Sequence, residues 1–118
     1  MTPTAVASTN RLRLHTTSTP EAVVIRCTGR LTSEYTQALR NEFMRVLPET
    51  KRVVLDLSDL RHMDSSGLGT LVRLYVSAKN SHREFQLINL NQHIRHLLGL
   101  ANLLAVFGLC GQYLSRMP

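Results

Sequence analysis

The sequence predicts a single α/β domain. Its sheet is mixed and four- to five-stranded, with an antiparallel N-terminal hairpin followed by parallel strands, and three to four helices lie mainly on one face. Three observations predict this. The chain has 118 residues, the length of one domain. Its hydrophobic period switches between two and 3.6, in the order β-β-α-β-α-β-α with room for a final strand. Strand–helix–strand repeats imply parallel pairing with right-handed crossovers, whereas two short strands across a tight turn pair as a hairpin.

Residues 1–10 are small, polar and threonine-rich, and read as a flexible tail ahead of a domain over 11–111, with a second tail over 112–118. Arg11-Leu12-Arg13-Leu14-His15-Thr16 alternates with period two, as a half-exposed edge strand does. Ser18-Thr19-Pro20-Glu21 is a turn. Residues 22–28 form the second strand, with Val23, Ile25 and Cys27 on one face.

Gly29 to Ser33 ends that strand and starts a helix, for which Thr32 or Ser33 is the expected cap, with Glu34 and Glu42 along it. Tyr35, Ala38, Leu39, Phe43, Val46 and Leu47 make its apolar stripe, and it stops before Pro48. Residues 48–51 lead into a buried strand at Val53-Val54-Leu55-Asp56-Leu57, followed by a polar link.

Asp64-Ser65-Ser66-Gly67 then opens a second helix, in which Leu68, Leu71, Tyr75 and Ala78 recur at helical spacing. Residues 79–83 are a polar break and 84–90 a further strand. Asn91 is the expected cap of a third helix that turns Ile94, Leu97 and Leu98 inward and ends at Gly99 or Asn102. Residues 103–110 fit either a last helical turn with a short strand or one buried segment.

The stretch from Val53 to Tyr75 organises the rest. A strand feeds a turn, and the turn feeds a helix that begins with two hydroxyls beside an acid. The first turn of a helix has backbone N–H groups without intrahelical partners, and the helix dipole adds partial positive charge there. A serine at that end caps well, and Ser66 is the expected cap. A phosphate on its neighbour would be well received. Gly67 and Gly69 are expected to leave the helix start bare for close approach of a partner backbone.

Composition bounds the partners. The formal net charge is +6, which suits an acidic partner surface, nucleic acid or an anionic membrane. The fourteen basic residues are dispersed, however, with no basic block interleaved with aromatics, so no direct nucleic-acid binding is expected. Cys27 and Cys110 both sit in apolar stretches and read as buried thiols of a reducing cytoplasm. No signal peptide and no membrane-spanning run is read, so the expected location is cytoplasmic, without a membrane partner.

His93 and His96 lie three apart on the third helix, but nothing completes a metal site, so no metal and no cofactor is expected. Asp64-Ser65-Ser66-Gly67 lacks the leading glycine of a hydrolase elbow. Gly67-Leu68-Gly69 belongs to no phosphate-cradling loop. No catalytic constellation emerges, and the reading is a non-enzyme.

The ordered string Asp56-Leu57-Ser58-Asp59-Leu60-Arg61-His62-Met63-Asp64-Ser65-Ser66-Gly67-Leu68-Gly69-Thr70-Leu71 resembles the signature of the STAS domain family, of the anti-sigma factor antagonist type. Leu98 to Phe107 is similar to the family's closing segment, with Asn102 where glycine is usual. The resemblance implies that Ser65 is a phosphorylation site. It implies a partner surface of Gly29, Arg30, Thr32, Ser33, Asp64, Ser65, Ser66, Gly67 and Leu68. It implies two partners: an anti-sigma factor that is also a serine kinase of the GHKL ATPase type, and a cognate phosphatase. Unphosphorylated, such a protein binds the kinase and frees the sigma factor. Two further stretches depart from the pattern, the end of the second strand and the turn before the fourth. Arg30 replaces an acid, Thr32 replaces an aspartate, and Ser81-His82-Arg83 replaces a basic residue followed by glycine. The alternative is a STAS accessory subunit of a lipid-transport ABC complex, which binds its ATPase without a phospho-switch. The expected state is a monomer or a weak dimer.

Overall fold

The computed structural model describes residues 11–100. Within them a four-stranded sheet has the order β1-β2-β3-β4, formed by β1 (Arg13–Ser18), β2 (Val23–Leu31), β3 (Arg52–Met63) and β4 (Glu84–Ile88). β1 pairs antiparallel with β2, while β2–β3 and β3–β4 are parallel. The helices are α1 (Thr36–Val46), α2 (Ser65–Asn80) and α3 (Gln92–Leu100). The mixed sheet with its N-terminal hairpin is the architecture expected from the sequence. The expected tails, the final strand, Asn102 and Cys110 lie outside the described residues.

Alternation of apolar side chains decides which face of the sheet is covered. Ile25, Cys27, Val53, Leu55, Leu57 and Leu87 are fully buried, and they join one cluster with Leu39 and Phe43 of α1, Leu71 and Leu74 of α2, and Ile94 and Leu98 of α3. All three helices therefore pack on that face. Phe43 meets Phe85 of β4 edge-on, with ring centroids 5.4 Å apart. Removing a fully buried ring such as Phe43 would cost about 3–5 kcal/mol through lost transfer energy and a cavity. The intervening residues, His15, Arg26 and Asp56 among them, line the other face.

Several boundaries differ from the sequence reading, each for a physical reason. β1 starts at Arg13 and runs to Ser18, because the turn is closed later, by Thr19 N–H donating to the Ala22 carbonyl at 2.8 Å. β2 continues through Gly29 to Leu31. At Gly29 (φ 103) a side chain would collide with the Arg11 carbonyl, 1.8 Å from a built Cβ. Only glycine lets the chain pass there.

β3 does not stop at Leu57. The polar stretch continues as strand because two bulges let it follow β2: Arg26 to Thr28 faces Asp56 to Asp59, and Gly29 to Arg30 faces Leu60 to His62. β4 ends at Ile88, where Asn89 adopts φ 58, so the strand is shorter than expected.

The helices are corrected at their starts. Neither Thr32 nor Ser33 caps α1, which begins after Tyr35 without a side-chain cap, and Glu34 precedes it. Ala38 is exposed, so the α1 stripe is Leu39, Phe43 and Val46, with Leu47 in a 3₁₀ turn that absorbs Pro48. α2 buries Gly67, Thr70, Leu71, Leu74 and Ala78, which leaves Leu68 and Tyr75 half-buried at its flank. It also runs on through Lys79 and Asn80 to end at Ser81, so the polar break is shorter than expected, and His82 takes φ 59. The expected Asn91 cap of α3 is present: its Oδ1 accepts from Ile94 N–H at 2.8 Å. Ile94 and Leu98 turn fully inward and Leu97 partly.

Candidate functional site

The C-terminal ends of β2 and β3 lie side by side, with Leu31 paired to Met63. Each strand then leaves the sheet, one into the β2–α1 loop and the other into α2. Asp64 sits at that junction as the N-cap of α2, with extended backbone at ψ −173. Its Oδ1 accepts from Gly67 N–H at 2.9 Å, and its Oδ2 accepts from Ser33 N–H at 3.3 Å. Its own amide donates to the Leu31 carbonyl at 3.4 Å. One carboxylate therefore satisfies an orphan amide of the helix and holds the neighbouring loop against it.

This corrects the expected cap. Ser66 does not cap α2; Ser65 and Ser66 are its first two helical residues, and both are exposed. The acid takes the capping role because an ionised carboxylate is a stronger acceptor at the positive end of the helix than a hydroxyl. Ser65 is thus left with an uncommitted side chain, outward-facing, one residue from a fixed negative charge.

Gly67 also differs from expectation. It is buried, and a Cβ there would lie 2.2 Å from the Leu31 carbonyl and 2.8 Å from Met63 Cγ. It serves internal packing and offers no bare backbone to a partner. Gly69, with nothing within 4 Å of a built Cβ, is the open position.

The remaining sequence-predicted residues divide. Ser33, Asp64, Ser65, Ser66 and half-buried Leu68 form one surface around the start of α2. Gly29 and Thr32 are buried and shape the loop from within; the Thr32 hydroxyl has no hydrogen-bond partner among the described residues. Arg30 is elsewhere. It alternates with buried Leu31 along β2, so it points to the sheet face away from the helices and pairs across to His62. The sequence reading missed the seat under Gly67, made by Leu31 and Met63. Its signal is an apolar residue at the last position of each strand.

Reactive groups are few. Burial pushes the Cys27 thiol up to about 12, assisted by the charge of Asp56, which leaves it inert at neutral pH. Among the described residues no group of three or more His, Cys, Asp or Glu side chains is placed to hold a metal ion. No helix among them is long and apolar enough to cross a membrane.

Comparisons with known proteins agree with this fold. The family described as "Mlab, STAS domain" matches residues 14–109. A STAS-domain containing protein of Pseudomonas aeruginosa (strain UCBPP-PA14) is 30% identical over 87 residues, covering 74% of this chain and 86% of that one. Among solved structures, an anti-sigma factor antagonist from Mycobacterium paratuberculosis superposes with a TM-score of 0.75 at 19% identity, over 83% of this chain and 84% of that one. The Bacillus cell fate determinant SpoIIAA in its phosphorylated form gives 0.63 at 21% identity, over 81% of this chain and 86% of that one. At such identities the superpositions speak for the fold.

Proposed function

This chain belongs to the STAS domain family, and from that premise we propose that it is an anti-sigma factor antagonist switched by phosphorylation of Ser65. One observation carries the reading: Ser65 is exposed at the first turn of α2, beside the Asp64 carboxylate that clamps the β2–α1 loop to the same surface. The unmodified surface of Ser33, Ser65, Ser66 and Leu68 docks an anti-sigma factor that is also a serine kinase of the GHKL type. Phosphate adds about −1.5 to −2 charges at neutral pH. The helix N-terminus tolerates that charge in the free protein, but burying it in a complex next to Asp64 is unfavourable, and the partner is released. A phosphatase restores binding, and the regulated output is sigma-factor-dependent transcription in the bacterial cytoplasm.

The test is a pull-down with tagged wild type and Ser65→Asp, read by mass spectrometry for partners and for the phosphosite. Recovery of an ATPase-fold kinase by wild type alone, with phosphate on Ser65, supports the switch. Equal recovery by both proteins with Ser65 unmodified overturns it. The second reading, an accessory subunit bracing the ATPase of a lipid-transport ABC complex, is favoured by the name Mlab on the matching family. Recovery of a transporter ATPase by both proteins would select it.

A further inference from the structure

The sheet face away from the helices carries a concentration of unpaired positive charge at one end. Arg13 stands opposite Thr28, and Thr28 opposite Asp59. Arg11 precedes β1, and its carbonyl lies over Gly29, the neighbour of Arg30. Arg30 in turn pairs across to His62, next to exposed Arg61. Arg13, Arg30 and Arg61 thus form a row across β1, β2 and β3.

Compensation is scarce. Arg26 is neutralised by Asp59. Asp56 is engaged by Ser58 N–H and by the Asn89 side chain. No carboxylate among the described residues pairs with Arg11, Arg13, Arg30 or Arg61. The chain outside them has no Asp or Glu. The Nε of Arg30 is buried without a hydrogen-bond partner among the described residues. Like charges gathered on neighbouring strands repel, and an unpaired buried N–H of a guanidinium carries a cost of its own. An anion placed on the row relieves the repulsion between the charges. Thr28, Ser58, Asp59, Leu60, Arg61 and Asn91 line a cleft beside it.

We infer that this end of the open face is a second docking surface, for an acidic, carboxylate-rich segment of a protein partner, independent of the Ser65 surface. The chemistry of the patch selects that occupant. It lacks an apolar anchor for a bilayer, since the large exposed hydrophobics among the described residues, Met44 and Val76, lie on α1 and α2. Among the described residues no aromatic platform for bases lies on it: Phe43, Tyr75 and Phe85 pack in or against the helix-side core, and Tyr35 stands at the start of α1. Asp59 lies among the cations, a mixed pattern that suits spaced carboxylates met one by one by guanidinium forks, and suits a continuous phosphate backbone poorly.

The experiment uses the full chain, ¹⁵N-labelled, titrated at low salt with a peptide of alternating glutamate and glycine, with anionic phosphatidylglycerol vesicles and a single-stranded oligonucleotide as rival probes. The expected result is saturable peptide binding with amide shifts confined to residues 11–15, 26–30 and 58–62. Affinity should fall about tenfold in Arg13→Glu/Arg61→Glu and stay within about twofold in the charge-matched Lys51→Glu/Arg73→Glu. Ser65→Asp should bind the peptide as wild type does, which separates this surface from the switch. Equal loss in both double variants, shifts centred on the start of α2, or binding of vesicles or oligonucleotide in preference to the peptide overturns the proposal. The wild-type shift map decides even if a variant fails to fold.

Discussion

The Asp64 carboxylate accepts the Ser33 amide across 3.3 Å, joining the start of α2 to a loop 31 residues earlier in the chain. The same side chain caps α2 through Gly67 N–H. Asp64→Ala should therefore cost about 1–2 kcal/mol of stability, the upper part of the range for a lost cap, because a second amide is orphaned with it. Urea unfolding measures the cost. Hydrogen exchange should show the Ser33 amide losing protection along with Gly67. Loss at Gly67 alone would mean that the loop is held by something else.

Ser65 should be nearly silent in stability. It is exposed and is not the cap, so Ser65→Ala is expected to change unfolding free energy by less than about 0.5 kcal/mol. Ser65→Asp places a carboxylate in the first turn, where the dipole favours it by about 0.3–1 kcal/mol, offset by repulsion from Asp64. Both variants should melt close to wild type, so a binding defect in Ser65→Asp reports the surface and not unfolding. A marked drop in melting temperature for Ser65→Ala would assign the hydroxyl a structural role.

How much of this was legible beforehand depends on the range of the interactions. Local periodicity places every described strand and helix, and the Asp64-Ser65-Ser66-Gly67 string marks the start of α2. Boundaries set by pairing were hidden. β3 continues through Ser58, Asp59 and Arg61 only because β2 is there to pair with, and no local propensity encodes those two bulges. The cap is not legible locally because serine and aspartate compete for the same role, and the choice is settled by a loop amide distant in sequence. Arg30 is expected on the Ser65 surface because the family resemblance assigns the Gly29 to Ser33 loop to it. The pleat sends it to the other face.

The two glycines of the α2 start should respond in opposite directions. Gly67→Ala forces a methyl group into the Leu31 carbonyl at 2.2 Å, backbone that cannot swing aside, and should destabilise by more than about 2 kcal/mol. Gly69→Ala meets nothing and gains helix propensity, so it should stabilise by up to about 1 kcal/mol. Thermal melts of the pair read the difference directly. If the two shifts were similar, the seat of α2 on the end of β2 would be looser than described.

Glu42 couples the sheet edge to α1 and should give the fold an acid-sensitive stability. The Arg45 side chain donates to its Oε1 at 2.9 Å and its Oε2 at 2.7 Å, and Thr16 Oγ1 donates to Oε2 at 2.6 Å. The hydrogen bonds from Arg45 and then Thr16 hold its carboxyl down at about 2, from an ordinary value of 4.5. Because the folded value is depressed, the unfolded chain binds the proton first as pH falls. The stabilisation is fully present above pH 4.5 and is lost as pH falls through the window down to about 2. Arg45 is 59% exposed, so solvent screening reduces the effect to about 1 kcal/mol. Unfolding free energy measured from pH 6 to about 2 should therefore fall by that much more in wild type than in Glu42→Gln, which lacks the titrating group. Thr16→Val should shrink the same difference while leaving the Arg45 pair intact. Parallel pH profiles for wild type and Glu42→Gln would remove Glu42 as the source.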